Sequence, residues 1–212
     1  MNTVHLPNII FRLYKTDISI TMNKRPIVIV ASTRSGSTAF ASYIGKMHKI
    51  KIWMEPSFTT EGFEAFERWL KAKNTDYVLK IISYQIANNE VYKTILEDDC
   101  YKIKLTRSNK IEQIASHYIG HSTWIWNSHD RYARGEQYTL PVDIKLVKDV
   151  IKTVIFNDNI FNNLDIKFDE THTYEELIST MNLDSTGIVK IIPPTNYNEI
   201  KAVIAKEYDK QK

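Results

Sequence analysis

Residues 26–43, PIVIVASTRSGSTAFASY, decide how this chain is read. The apolar run from Ile27 to Ala31 stops abruptly at Ser32-Thr33-Arg34-Ser35-Gly36-Ser37-Thr38, and helix-compatible residues follow at once. This strand–loop–helix grammar suits an anion. Loop amides and a helix N-terminus together present partial positive charge at one spot. Gly36 tolerates a positive φ and lets the backbone approach a ligand closely. Arg34 offers a planar fork of donors, and the hydroxyls of Ser35, Ser37 and Thr38 add short ones. The loop is not the nucleotide-triphosphatase motif G-x-x-x-x-G-K-[ST], because Ser37 follows Gly36 and Ala31 stands where the first glycine belongs. Its charge comes before the glycine, on Arg34.

A strand-to-helix turn with a surface Arg would show similar residues, so other segments must decide. Tyr101 to Tyr118, YKIKLTRSNKIEQIASHY, repeats the grammar with an alternating strand, Thr106-Arg107-Ser108-Asn109 and a helix pattern. Ile111, Ile114, Ala115 and Tyr118 recur at helical spacing, Asn109 is the expected N-cap, and Glu112 follows three residues on. Arg107 leaves the strand end, and Ser116 lies nine positions later (116 − 107) on the helix. A third segment, KIWMEPSF, puts Glu55 after a short apolar strand, 21 positions beyond Arg34 (55 − 34). Lys80 stands inside the apolar run YVLKIIS, where an ammonium is costly unless paired. A carboxylate near an anion loop is a natural general base for a hydroxyl nucleophile. His48, His117 and His121 compete with Glu55 for that role.

T-R-S-G-S-T after a β run resembles the 5′-phosphosulfate loop of sulfotransferases, in the branch that carries Arg there: carbohydrate and bacterial trehalose-type enzymes. The Arg107/Ser116 spacing is similar to the trehalose-type branch, and a Glu-Pro pair stands at this distance in Golgi carbohydrate sulfotransferases. The resemblance spans roughly residues 26–197. It implies a P-loop-like α/β fold and a sulfuryl donor, 3′-phosphoadenosine 5′-phosphosulfate (PAPS), converted to 3′,5′-adenosine bisphosphate (PAP). Arg34, Ser35, Gly36, Ser37 and Thr38 would hold the 5′-phosphosulfate, Arg107 and Ser116 the 3′-phosphate. Glu55 would be the base, with Arg34 and Lys80 beside the reacting sulfate. The late stretch IKFDETHTYEELISTMNL resembles the family's last strand and following Tyr-Glu-(Asp/Glu)-Leu helix start, a packing element. The C-terminal R-K-G-x-x-G-D-W signature that closes over adenosine in cytosolic members is absent, and Pro193 to Tyr197 lie where a replacement would fall.

The rest of the chain fits this frame. Strands over 26–31, 50–54, 77–82 and 101–106 alternate with helices over 37–48, 61–73, 88–97 and 109–120. This rhythm predicts a central parallel sheet flanked by helices, followed by a helical C-terminal part that begins with a helix over 143–163. Residues 25–212 are expected to form a single domain, preceded by an arm or hairpin over 1–24. Residues 121–141, rich in Trp, Tyr, His and Arg, read as a substrate-facing segment. A net charge of +3 suits a multiply anionic ligand and falls short of a nucleic-acid footprint, because the 28 Lys and Arg are spread along the chain. The single Cys100 excludes an intramolecular disulfide, and no Cys/His cluster has metal-ligand spacing. No apolar run reaches membrane-spanning length, so a cytoplasmic location without stable membrane insertion is expected. The partner expected is a small-molecule hydroxyl acceptor, a carbohydrate or glycolipid; a homodimer is left open. Rival readings are a P-loop-type nucleotide-dependent phosphotransferase and a non-catalytic PAP- or nucleotide-binding relative.

Overall fold

The computed structural model describes residues 25–72, 76–124, 126, 137–180 and 193–211. β1 (Ile27–Ala31) and β3 (Tyr77–Ile82) are buried along their whole length. Continuous apolar runs of this kind belong to parallel strands covered on both faces. β2 (Lys51–Met54), β4 (Tyr101–Thr106) and β5 (Glu170–Thr173) complete a sheet of five strands in the order β2-β3-β1-β4-β5. Every neighbouring pair is parallel. The edge strands β2 and β5 are short, four residues each, and partly exposed, which limits the unpaired backbone an edge presents.

Helices cover both faces. α1 (Ser37–His48) and α7 (Tyr174–Thr180) lie on one side, where Phe40, Ala41, Ile44 and Leu177 pack on Ile27, Ile29, Ala31, Val78 and Ile82. α2 (Thr60–Lys71), α3 (Ser83–Ala87), α4 (Glu90–Glu97) and the far end of α6 (Ile144–Asn162) lie on the other. There Phe66, Ile86, Tyr92, Ile95 and Phe161 meet Val28, Val30, Leu79 and Ile81. A third cluster joins α5 (Lys110–Thr123), α6 and α8 (Tyr197–Asp209) through Ile114, Tyr118, Val147, Ile151, Ile200 and Ile204. The chain is thus α/β, a central parallel sheet flanked by helices with a helical C-terminal part. Truncating a ring as enclosed as Phe40 or Phe66 would cost about 3–5 kcal/mol.

Local chemistry sets the helix starts. Thr59 accepts from the Gly62 amide at 3.0 Å, Asn89 from Tyr92 at 3.3 Å and Asp143 from Lys145 at 2.8 Å. Asn109 caps α5 as the sequence predicts, accepting from the Glu112 amide at 3.1 Å. The Glu112 side chain does not turn back to complete a capping box; it reaches α8 instead. The helix expected over 88–97 begins at Glu90, and α3 precedes it, a short turn with no strong apolar period. Among the described residues no helix is long and apolar enough to cross a membrane. The arm expected over 1–24 and most of the aromatic segment over 121–141 lie outside the described residues.

Candidate active site

Because all five strands are parallel, their carboxyl ends share one edge, where ligands of open α/β sheets bind. Each strand delivers a polar or aromatic residue there: Arg34 after β1, Glu55 after β2, Gln85 after β3, Arg107 after β4 and Tyr174 after β5.

The first loop leaves β1 with the Ser32 amide bonded to the Leu105 carbonyl at 3.0 Å. Arg34 (φ 57°) and Gly36 (φ 73°) both adopt the left-handed conformation, and Gly36 is the N-cap of α1 without a side-chain cap. Two demands fix a glycine here. Its φ favours no side chain, and a Cβ would lie 2.3 Å from a ring carbon of Tyr174. Ser37 opens α1 and Thr38 follows, in a first turn that holds no acidic residue, so its free amides face no fixed negative charge of their own. Among the described residues the buried hydroxyls of Thr33 and Ser35 have no hydrogen-bond partner. Each such orphan costs about 1–3 kcal/mol, and both flank Arg34. Oxygen-rich anions such as phosphate or sulfate would satisfy them, so the residues present fit a phosphosulfate group.

Arg34 is fastened from the helical side. Its Nε donates to Ser116 Oγ at 3.0 Å and one terminal nitrogen to the Trp126 carbonyl at 2.6 Å. The guanidinium lies 5.8 Å from the Trp126 ring centre. Burial, and then the charge of Arg107, pull its pKa down to about 10, which leaves it cationic at neutral pH.

Lys80 and Glu55 meet. Lys80 follows Val78 and precedes Ile82 on the α1-facing side of β3, and its Nζ donates to Glu55 Oε1. The Lys80 side chain is 4% exposed and that of Glu55 26%. Desolvation pushes the Lys80 pKa down, opposed by the carboxylate of Glu55. Gln85 donates to Glu55 Oε2 at 3.4 Å while its own carbonyl accepts from the Ile82 amide at 2.8 Å. Glu55 itself has φ 48°, an uncommon conformation for a non-glycine residue. Its amide donates to the Lys80 carbonyl at 2.7 Å, continuing the β2–β3 pairing one step past Met54.

Arg107 spans the other half. It donates to the Arg34 carbonyl at 3.2 Å and lies 4.7 Å over the Tyr174 ring. Glu112 and Glu175 stand at ion-pair distance, 3.8 Å and 3.7 Å, yet the buried Nε makes no hydrogen bond. Ser116 sits with Arg34 rather than with Arg107. Its own O–H remains free to donate, because a serine that accepts one bond still carries a proton.

The histidines fall differently. His48 ends α1, roughly 16 Å along the helix from Ser37. His117 and His121 stack at 5.0 Å with the Trp126 ring edge-on to both. Burial first, then His121 and Arg34, pull the His117 pKa down to about 4. Sequence reasoning did not single out Gln85 or Lys201; it held Trp126 only within the aromatic segment over 121–141 and Tyr197 only within the stretch over 193–197. It read the Tyr174 segment as packing, and Tyr174 does pack, on Gly36 and beneath Arg107.

No protein-family model matches the chain, and no curated protein matches it. Among solved structures the chain is similar to mouse sulfotransferase SULT7A1 complexed with PAP, at 15% identity and a TM-score of 0.44. The alignment covers 90% of this chain and 68% of that one. It is a distant likeness of chain path, and what this chain does has to be read from its own residues.

Proposed function

We propose that the chain is a sulfotransferase that moves the sulfuryl group of PAPS to a hydroxyl of a small acceptor, a carbohydrate or glycolipid. The observation that carries this reading is the first loop. Two orphaned hydroxyls, a left-handed glycine and a part-buried Arg sit together beside a carboxylate–lysine pair on the same sheet edge. When bound, PAPS supplies an activated sulfuryl group attached to a 5′-phosphate that departs readily.

The chain's own residues do the rest. Amides from Ser35 to Thr38 and the guanidinium of Arg34 hold the phosphate oxygens and stabilise charge as it builds there. Glu55 takes the proton of the acceptor hydroxyl. Gln85 and Lys80 hold the two Glu55 oxygens, and the buried ammonium of Lys80 brings positive charge to the place where a sulfate would stand. Arg107 and the free O–H of Ser116 take the 3′-phosphate. The stacked pair His117 and His121 is wedged against Trp126, whereas Glu55 stands partly exposed at the carboxyl end of β2 beside Lys80. Glu55 is therefore the better-placed base.

Thermal shift assays with PAP, 5′-AMP and magnesium ATP test this reading. PAP is expected to raise the melting temperature most; at about 100 times its dissociation constant, linkage gives roughly 2.7 kcal/mol. A larger shift from magnesium ATP than from PAP would favour a phosphotransferase instead.

A further inference from the structure

A second element reaches the Arg107 end of the site. From the N-terminal half of α8, Lys201 Nζ donates to Glu112 Oε1 at 3.0 Å and the Tyr197 hydroxyl donates to Glu112 Oε2. Lys201 also lies 4.8 Å over the Tyr197 ring, and an Arg107 terminal nitrogen is 3.8 Å from the same Glu112 oxygen. Donors from the end of β4 and from α8 thus converge on one carboxylate of α5.

Glu112 has no local duty that explains this. Its capping-box target, the Asn109 amide, is taken by Glu175 Oε1 at 3.1 Å, and Glu175 Oε2 accepts from the Ser108 amide at 3.0 Å. Glu175 is therefore fastened to backbone. Among the described residues the carboxylate of Glu112 is held by side chains alone, those of Tyr197, Lys201 and Arg107, and these are the groups a phosphate would seek. Locally, Arg107 and Lys201 are balanced by Glu112 and Glu175, so a phosphate dianion gains little attraction until one carboxylate gives way. Glu112 is the one free to do so.

We propose that Glu112 is an internal stand-in for a ligand phosphate: a terminal phosphomonoester displaces it and binds Arg107, Lys201 and the Tyr197 hydroxyl. α8 then completes the nucleotide site, in a chain that lacks the closing motif of cytosolic sulfotransferases. The inference rests on the reading of the site as a PAPS site and assigns two residues that the reading did not.

Calorimetric titration of PAP and 5′-AMP into the full chain and its variants at fixed salt tests it. Lys201→Ala is expected to weaken PAP binding about tenfold and Glu112→Gln to tighten it about tenfold, each the size of one charge-assisted hydrogen bond. Affinity for 5′-AMP, which has no 3′-phosphate, should stay within about twofold in both. Lys201→Arg should restore wild-type affinity. If both Glu112→Gln and Lys201→Ala weaken PAP, Glu112 is a strut for α8 and the inference is overturned while the PAPS reading stands. The same holds if neither variant changes the PAP-to-AMP ratio. A wild-type chain that binds both nucleotides alike would overturn the Arg107 phosphate site itself, and this inference with it.

Discussion

Replacing Glu55 with Gln separates the carboxylate's pairing with Lys80 from the catalytic role proposed for it. In the structure it is the countercharge of Lys80, whose side chain is 4% exposed, while Glu55 is 26% exposed. Breaking a buried pair by removing one partner costs about 3–5 kcal/mol. Glu55 keeps some water, and the Gln carbonyl can still accept from Nζ, so about 1–3 kcal/mol is expected. The pH dependence carries a sign. Burial already holds the Lys80 pKa below its ordinary 10.5, and Glu55 opposes that shift. Removing Glu55 lowers it further, so the unfolded chain binds more protons than the folded one over a wider range. The stability gap between variant and wild type is therefore largest near neutral pH and closes as pH rises towards 10.5. Turnover should fall by about 10²–10⁴-fold because the proton acceptor is gone. Urea melts at several pH values report the first effect; sulfuryl transfer at saturating PAPS reports the second. Near-wild-type turnover would refute the base assignment, and a pH-independent stability gap would refute the account of the pair.

Arg34→Ala should reduce turnover more than it weakens PAP binding, because part of the role proposed for it appears only as charge builds on the leaving phosphate; an effect confined to PAP affinity would make Arg34 a ground-state anchor. Gly36→Ala should cost about 2–4 kcal/mol in urea melts, combining left-handed strain with a Cβ 2.3 Å from the Tyr174 ring; a loss below about 0.5 kcal/mol would show that the loop relaxes. His117 protonates near 6.5 unfolded and only near 4 folded, so the unfolded chain binds more protons in that window. Stability should fall by about 3 kcal/mol as pH drops through it, and His117→Phe should flatten that limb.

What the sequence disclosed and what it hid divide by range. α1, β3 and β4 have the ends their local patterns predict, because an apolar run, a glycine break and a capping residue act within a few positions. The pairing of Lys80 with Glu55 was hidden. It depends on β2 docking beside β3 with Met54 opposite Lys80, a consequence of strand order that neither segment states. Arg34 meeting Ser116, across 82 positions, is of the same kind. Ser116 was read as a companion of Arg107, and only the packing of α5 over the first loop gives its oxygen to Arg34. Lys201 was not singled out, and Tyr197 only as the end of the stretch from Pro193, since nothing near them in sequence hints that Glu112 has lost its capping partner. The loop residues were legible for the opposite reason. Ser32 to Thr38 form one turn of chain between β1 and α1, so their pattern can be read locally, although the Tyr174 ring against Gly36 could not.

The most direct test is transfer of sulfur-labelled sulfate from PAPS to a panel of hydroxylated sugars, glycolipids and phenols, with PAP release followed in parallel. The account predicts label in a sugar or glycolipid hydroxyl, one PAP released per sulfate transferred, and both signals lost together in Glu55→Gln. PAP binding without transfer to any acceptor, or phosphate transfer from magnesium ATP in its place, would contradict it.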